Sequence, residues 1–235
     1  MLATLEEMRK VEDIVLPNFW IKNPPYYWGE LKEAPSYEYK KNQIIFLEGT
    51  EMDTIYLVKK GKAKLFLTGP DGSEKIVGYV GENSILGTSS LFEESKKYIL
   101  SAAAVTNSTL IKYERQEFID QVMSNPDLMM QVFHIMSIRI RSLTGQSLDL
   151  SFKHSYIRLC KALLELGVKY GKQAEDDTTF VDFKVTHNDL AELIGTTRVT
   201  IANHIKTLRE KHLVETKGRN FIIRMNELKE DINKY

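Results

Sequence analysis

The chain has 235 residues, of which 43% are hydrophobic and 27% charged, a composition that fits one large soluble domain or two of ordinary size. Its 32 basic and 32 acidic side chains balance, so the overall charge does not indicate nucleic-acid binding. No apolar run approaches the roughly 20 residues of a membrane-spanning helix, and the start MLATLEEMRK is too acidic for a signal peptide. A single cysteine, Cys160, excludes an intrachain disulfide, and we expect a cytoplasmic protein.

Residues 1–35 are expected to form an N-terminal flap. A helical stretch reaches about Val15, and the irregular segment LPNFWIKNPPYYWGE follows, rich in proline and aromatic side chains. Two interpretations remain open for it. The flap either buries its own aromatic side chains against a neighbouring surface, or it binds a partner or covers a ligand.

Residues 36–114 have the alternation of a β-domain. In TIYLVKKGKAKLFLT apolar and polar side chains alternate, and GPDG at 69–72 is typical of a tight turn. The short strands are separated, at the spacing of an all-β barrel or sandwich, by glycines at positions 49, 61, 69, 72, 78, 81 and 87.

A helical period covers residues 115–150, and NPD at 125–127 predicts the start of one long dimerisation helix. Besides the heptad seam described next, this helix has a second apolar row, formed by Leu128, Val132 and Ile135, which can face the β-domain. Beside it runs a heptad seam with alternating steps of four and three residues, formed by Met129, Phe133, Met136, Ile140, Leu143, Ser147 and Leu150. We expect this seam to meet a second copy of the chain; the alternative is a helix buried within its own chain.

Residues 151–235 begin with FKHSYIRLCKALLELGVKYG, a helix that ends at Gly171 and places Cys160 among core positions. An acidic loop, AEDDTT, a strand, FVDFKV, and a later strand, NFIIRM, are also predicted. Between the strands, LAELIGTTRVTIANHIKTL has the pattern of two short helices joined at a glycine. We interpret this stretch as a helix-turn-helix.

Several positions favour the helix-turn-helix. When His187 is the first residue of a window of about 20 residues, Ala191 falls where the helices cross closely and Gly195 where the turn favours a positive φ. Thr186, with Asp189 three residues later, is typical of a capping box at the start of the first helix.

The second helix has an apolar side, formed by Ile201, Ile205 and Leu208, and a polar side. One of the two threonines before it is expected to cap its start. Residues 196–224 carry seven cations and two anions, a local charge of +5 that is typical of a DNA-facing patch. The predicted DNA-binding residues are Thr196, Thr197, Arg198, Val199, Asn203, Lys206, Lys217 and Arg219. The alternative is an ordinary amphipathic helix at the surface.

Two longer stretches carry a family likeness. IIFLEGTEMDTIYLVKKGKAKLF has the Glu-Gly turn, aspartate and strand-Gly-strand pattern of a cyclic-nucleotide-binding domain. SNPDLM, followed by VTHNDLAELIGTTRVTIANHIKTLREKHLVE, resembles the CRP/FNR superfamily of bacterial transcription regulators, and the likeness covers about residues 37–225. The resemblance implies an α+β homodimer with an N-terminal effector-sensing β-roll, a long dimerisation helix and a C-terminal winged helix-turn-helix. It also implies double-stranded DNA, a small-molecule effector and RNA polymerase as partners.

The sensor half departs from the cyclic-AMP-binding members of that superfamily. Those members carry a glutamate for the ribose and an Arg-Ser pair for the cyclic phosphate. In LGTSSLFEESKKYILSAAAV, Thr88 stands at the glutamate position, and Tyr98 and Ile99 stand at the Arg-Ser positions. Since the charge-assisted hydrogen bonds of the guanidinium are then missing, we do not expect cyclic AMP to be the effector.

No metal cofactor is expected. A lone cysteine cannot hold an ordinary iron–sulfur cluster, and the β-domain contains no histidine for a haem or for a cupin-type metal site. No nucleophile–base pair emerges either, so we do not expect an enzyme. The rival class is a ligand-binding regulatory subunit whose C-terminal helices bind protein, but apolar anchors would then be expected at Arg198, Asn203 and Lys206.

The stretch NSILG…YILSA and the RVTI of the second helix are similar to the branch that controls reductive-dehalogenation genes, although the redox cysteine pairs of that branch are missing. That likeness implies a small aromatic acid as effector. A pocket for it is predicted from Tyr79, Gly87, Thr88, Ser89, Ser90, Tyr98, Arg139 and Leu143. For the two tyrosines, ordinary β-domain core is the alternative.

The polar side of the second helix predicts an A·T-rich inverted repeat as operator. Val199 can pack against a thymine methyl group, and the amide of Asn203 can bind adenine in a bidentate manner. Arg198 can bind either a guanine or a phosphate. Two-fold symmetry of a dimer implies two half-sites about one helical turn apart.

Overall fold

The computed structural model describes residues 19–20, 28–174 and 178–234. Most of the predicted flap, residues 1–35, therefore lies outside the described residues, and its role stays a prediction. None of the described helices combines the length and the apolar character that crossing a membrane requires.

The chain divides into two compact units. Of the described residues, 28–140 form one, the β-roll unit, and 141–174 and 178–234, together with 19–20, form the other, the C-terminal unit. The division falls inside the long helix, whereas the sequence placed a domain boundary at residue 150. The reason is that the first half of this helix contributes side chains to the core of the β-roll.

The described part of the β-roll unit contains eight strands: β1 (Ser36–Tyr39), β2 (Ile44–Phe46), β3 (Thr54–Lys60), β4 (Ala63–Thr68), β5 (Glu74–Val80), β6 (Ile85–Leu86), β7 (Ser101–Ala104) and β8 (Ser108–Glu114). They form two antiparallel sheets, ordered β1-β8-β3-β6 and β2-β7-β4-β5. The predicted β-domain is confirmed, with apolar side chains from both sheets in one core.

The turn between β3 and β4 requires glycine. Gly61 has a φ of 98°, a region that side chains disfavour, and a Cβ atom there would lie 2.8 Å from the Cα atom of Ser108. The close approach lets β4 leave β3 and enter the second sheet.

The helical region after β8 is divided into α1 (Arg115–Ser124) and α2 (Pro126–Phe152). The predicted start of the long helix at NPD is confirmed, because the side chain of Asn125 accepts hydrogen bonds from the N–H groups of residues 127 and 128 and so starts a new helix at Pro126. Residues 115–124, which the predicted dimerisation helix included, form a separate helix. The predicted second apolar row is confirmed: Leu128, Val132 and Ile135 are buried in the β-roll core.

The described elements of the C-terminal unit after α2 are α3 (Ser155–Tyr170), β9 (Gly171–Gln173), β10 (Thr179–Val181), α4 (His187–Ile194), α5 (Arg198–Glu210), β11 (Val214–Lys217), β12 (Asn220–Ile223) and α6 (Met225–Ile232). Their strands form one antiparallel sheet in the order β11-β12-β10-β9. The predicted strand FVDFKV is shorter in the structure, where β10 ends at Val181, although the next N–H, that of Asp182, still donates a hydrogen bond to the carbonyl of Tyr170 at 2.9 Å.

Helix α3 supplies much of the core of this unit. Its Leu159, Cys160, Leu163 and Leu166 are fully buried. Burial raises the pKa of the Cys160 thiol to about 12, so the predicted role of this cysteine in the core agrees with its surroundings.

Candidate DNA-binding and effector sites

The first helix of the helix-turn-helix, α4, is capped by its own sequence. The Thr186 hydroxyl accepts a hydrogen bond from the Asp189 N–H, and the Asp189 carboxylate accepts one from the Thr186 N–H at 2.8 Å, so the predicted capping box is confirmed. At the other end, Gly195 has φ 67° and ψ 60°, the left-handed conformation expected at this turn.

The second helix, α5, begins at Arg198. Of the two candidate caps, Thr197 is the one whose hydroxyl accepts a hydrogen bond from the helix, from the Thr200 N–H at 3.1 Å. Ile201, Ile205 and Leu208 are buried, as the pattern predicted. Their burial fixes which side of α5 is left for a ligand.

The opposite side of α5 is exposed and carries the predicted reading residues. Val199 is 70% exposed, although valine is among the residues most often buried in proteins. Arg198, Asn203 and Lys206 are exposed on the same helix. Lys206 lies 3.8 Å from Glu210, but both side chains are largely exposed, so this pair constrains the lysine only weakly.

A crevice of about 280 Å³ connects the start of both helices with the hairpin β11–β12. Arg198 and Arg219 both line it, whereas Lys217 does not belong to its lining. The lining residues are Val185, Thr186, His187, Asn188, Arg198, Thr216, Gly218, Arg219, Asn220 and Phe221. Two arginines and the first residues of α4 thus line one concave surface, an arrangement that allows contact with a phosphate.

His187 and Asn188 were not among the predicted DNA-binding residues. They are the first two residues of α4, after the Thr186 cap, and they line the crevice with both arginines. The capping box was the signal that could have identified them, because the first residues of a helix present N–H groups without partners inside the helix.

The β-roll contains a much smaller cleft, with a volume of about 10 Å³. It brings together five predicted effector residues from distant parts of the chain. The lining comprises Phe46, Leu65, Gly87, Ser89, Ser90, Tyr98, Ile99, Leu100 and Arg139. The predicted residues Tyr79 and Thr88 are buried and do not belong to its lining. Leu143 belongs to the C-terminal unit and is about half exposed.

One wall of the cleft is an aromatic stack. The Tyr98 ring lies 4.0 Å from the Phe46 ring, centroid to centroid, at an interplanar angle of 12°. The Tyr98 hydroxyl donates a hydrogen bond to the Thr54 carbonyl at 2.6 Å, and burial raises the pKa of this hydroxyl far above its ordinary value. Tyr98 is therefore a neutral wall of the cleft, which cannot act as a cation toward a phosphate.

Arg139 provides the positive charge of the cleft. Its Nη2 donates a hydrogen bond to the Ile85 carbonyl at 3.3 Å, which holds the guanidinium against the lining. Ser90 contributes a hydroxyl that accepts a hydrogen bond from the Ile99 N–H at 3.1 Å. An aromatic wall beside one guanidinium can bind a flat anion.

The predicted seam on α2 is largely uncovered. Phe133 is 52% exposed and Ile140 is 64% exposed, and Leu143 and Leu150 are also about half exposed. Met129 and Met136 are half-buried because they pack partly against the β-roll core. Such a row of exposed apolar side chains at heptad spacing is unusual for the surface of a monomer.

Among the residues that the structure describes, no group of three or more His, Cys, Asp and Glu side chains could hold a metal ion. The expected absence of an iron–sulfur cluster and of haem stays a prediction.

Two family models match the chain. "Cyclic nucleotide-binding domain" matches residues 37–125, and "Crp-like helix-turn-helix domain" matches residues 157–230. Among curated proteins, the CRP-like cAMP-activated global transcriptional regulator of Mycobacterium tuberculosis is 24% identical over 196 residues, which cover 83% of this chain and 87% of that protein. Relatives of this kind are named as transcription regulators, a non-enzymatic function.

Solved structures show the same fold. The c-di-GMP responsive global regulator CLP of Xanthomonas campestris is similar at a TM-score of 0.73 and 20% identity, covering 81% of this chain and 93% of that one. CprK, solved in complex with OCPA, is similar at a TM-score of 0.68 and 19% identity, covering 91% of this chain and 97% of that one. With its sensor-like β-roll, its long helix and its helix-turn-helix, the chain belongs to the CRP/FNR superfamily of bacterial transcription regulators.

Proposed function

We propose that the protein is a homodimeric, sequence-specific DNA-binding regulator that responds to a small aromatic acid rather than to cyclic AMP. One observation carries the DNA-binding part: the side of α5 opposite its buried face presents Arg198, Val199, Asn203 and Lys206 to solvent. A protein-binding helix would be expected to present apolar anchors at these positions, and only Val199 is apolar.

The dimer is formed through the seam on α2. Two copies of a row that includes Phe133, Ile140, Leu143 and Leu150 remove four exposed apolar side chains of this helix from water. The interface is isologous, because the same surface of both copies takes part. A two-fold axis in the protein implies a two-fold axis in the operator.

The operator is an A·T-rich inverted repeat. Val199 can neither donate nor accept a hydrogen bond, but its isopropyl group can contact a thymine methyl, and Asn203 can bind adenine N6 and N7. Arg198 and Arg219 line the crevice beside the reading face, which favours a phosphate contact for both. RNA polymerase is the further partner that a cytoplasmic regulator of this kind requires.

A salt titration tests the DNA-binding part. The affinity for a duplex selected from a random pool is measured by fluorescence anisotropy at several salt concentrations. A plot of log affinity against log salt concentration should be linear, with a negative slope whose magnitude is about 0.9 for each phosphate contact. Arg219→Gln removes a cation from the crevice, so it should reduce the magnitude of this salt slope by about one. Affinity that is independent of salt, or selection of G·C-rich half-sites, would contradict the proposal.

The effector binds in the β-roll cleft. The cleft has a volume of only about 10 Å³, room for about one water molecule, so the binding of one substituted ring requires the lining side chains to move apart. The Phe46–Tyr98 stack suits the ring, and the Arg139 guanidinium suits a carboxylate. The structural neighbour CprK was solved with the ligand OCPA, which agrees with a fold able to bind a ligand other than a cyclic nucleotide. The proposal includes no iron–sulfur cluster and no haem.

A thermal-shift screen of substituted benzoates and phenylacetates tests the effector part. A ligand at 100 times its dissociation constant adds about 2.7 kcal/mol to the free energy of unfolding. Arg139→Gln should abolish stabilisation by the acids, and the corresponding neutral amides should not stabilise the wild-type protein. If the acids stabilise wild type and Arg139→Gln equally, the cleft is not their site.

A further inference from the structure

Arg158 on α3 connects two parts of the C-terminal unit through one guanidinium group. Its Nη1 donates a hydrogen bond to the Lys153 carbonyl at 2.7 Å, just beyond the end of α2. Its Nε and Nη2 donate to the carbonyls of Ile194 and Gly195 at 2.9 and 3.2 Å. Ile194 is the last residue of α4, and Gly195 is the turn of the helix-turn-helix.

These acceptors explain why an arginine is required. The last carbonyl groups of a helix have no partner inside it, and a cation at this end also interacts favourably with the helix dipole. The planar guanidinium donates hydrogen bonds from three nitrogen atoms held in a rigid plane. A lysine donates from one nitrogen atom at the end of a flexible chain, so it would not reach all three carbonyl groups in the same way. The three hydrogen bonds of Arg158 therefore hold the turn of the motif to the end of α2.

A second contact links the same segment to α5 itself. The Ser155 hydroxyl and the His204 Nε2 atom are 2.8 Å apart, and the His204 ring lies edge-on to Tyr156 with centroids 5.5 Å apart. Burial lowers the pKa of His204, so the neutral ring is the form that shares a hydrogen bond with the serine at neutral pH. Residues 153–158 thus bond to the turn before α5 and to the middle of α5.

We propose that Arg158, supported by Ser155, is a positioning residue that fixes the orientation of the recognition helix relative to the end of α2, and thereby sets the half-site spacing that the dimer accepts. The inference rests on the proposed function. With 13 residues, α5 is about 20 Å long, so a rotation of about 10° at its start moves its end by about 3 Å. That displacement is similar to the rise of one base pair, about 3.4 Å.

The test compares spacing preference between variants. Full-length wild type, Arg158→Gln and Ser155→Ala are titrated against three duplexes: the selected operator, the same operator with one base pair inserted between its half-sites, and a duplex with a single intact half-site. Lys172→Gln is the matched control, because this exposed lysine lies on β9, at the opposite sheet edge from β11, and pairs with Asp182.

A misplaced half-site loses its base contacts, so wild type and the control should bind the inserted duplex at least about tenfold more weakly than the operator. The insertion penalty is the ratio of the affinity for the operator to the affinity for the duplex with the inserted base pair. For Arg158→Gln we expect operator affinity to fall about tenfold and the insertion penalty to shrink below about threefold. Affinity for the single half-site should change less than about twofold. A purely structural defect would instead lower all three affinities together.

Circular dichroism shows which variants are folded. If Arg158→Gln is unfolded, Ser155→Ala is used for the test instead. Its insertion penalty is expected to lie between the wild-type value of about tenfold and the value of about threefold expected when the recognition helix is no longer held in place. A folded Arg158→Gln or Ser155→Ala with the wild-type insertion penalty would overturn the inference alone. Failure of the wild-type protein to bind any duplex would overturn the proposed function as well.

Discussion

Tyr98 stacks on Phe46 at a ring-centroid distance of 4.0 Å, and this pair forms one wall of the β-roll cleft. The likeness to cyclic-AMP-binding regulators would place an arginine at residue 98. Here the position is filled by a neutral phenol that bonds to the Thr54 carbonyl. The cleft therefore has an aromatic surface where a cyclic phosphate would require a cation.

Cyclic AMP is predicted not to bind. Tyr98 and the buried Thr88 cannot replace the missing arginine and glutamate, so millimolar cyclic AMP should leave both the melting temperature and the operator affinity unchanged. Isothermal titration calorimetry and an operator titration check this, with the aromatic acids as positive control. Micromolar cyclic AMP binding together with tighter operator binding would contradict it.

A charge in the seam should dissociate the dimer. Ile140→Glu places an unpaired carboxylate in the proposed interface, whereas Ile140 is 64% exposed in the single chain, so the fold of each copy should survive. Light scattering should give the monomer mass of 27.1 kDa for this variant. Met136→Glu should act in the same direction, but Met136 also packs against the β-roll core.

The matched control for the seam is Val168→Glu. Val168 is 68% exposed on α3, outside the seam, and its substitution should leave the dimer intact. A dimer that persists in Ile140→Glu at micromolar concentration would show that the seam is not the interface.

Base and phosphate contacts should be separable on α5. Asn203→Ala is expected to weaken the best operator by about 1–3 kcal/mol and to flatten the preference at one adenine of each half-site. Lys206→Ala should weaken all duplexes alike and lower the salt slope by about one. Selection from random duplexes with each variant measures both effects. Loss of base preference in Lys206→Ala, with Asn203→Ala unchanged, would reverse the two assignments.

Asp231 should make the stability of the C-terminal unit depend on acid pH. Burial raises the pKa of this carboxyl, but hydrogen bonds from Tyr156 and Lys211 and the charges of Lys211 and Lys234 outweigh burial, so the folded pKa lies below the ordinary value of 3.8. A depressed folded pKa means stabilisation that is present above the unfolded pKa and is lost as the pH falls through the folded pKa.

The corresponding experiment is urea unfolding of Asp231→Asn. At pH 7 the substitution should reduce the free energy of unfolding by about 1–3 kcal/mol, and the difference from wild type should shrink below pH 4. Asp182→Asn is the control, since its pair with Lys172 is exposed and should contribute at most about 1 kcal/mol. An effect of Asp231→Asn that is independent of pH would contradict the ionic role.

Local features of the protein follow from the sequence by itself. The capping box of Thr186 and Asp189, the left-handed Gly195 and the buried side of α5 depend on interactions between residues at most four positions apart, and short-range spacing reveals them. The same holds for the two apolar rows of α2 and for the alternation of the β-roll strands. The family likeness adds the order of the domains.

The tertiary structure decided what lies together across long stretches of chain. Arg139 reaches the cleft of Phe46 and Tyr98, whereas Thr88, in the short helical turn after β6, is buried. Tyr79 on β5 is also buried, because the inward or outward direction of a strand side chain depends on how the strands pair. The three carbonyl partners of Arg158 could not be read from the sequence, since a backbone carbonyl carries no residue-specific signal. Only the packing of α3 against the α4–α5 turn brings this guanidinium to them.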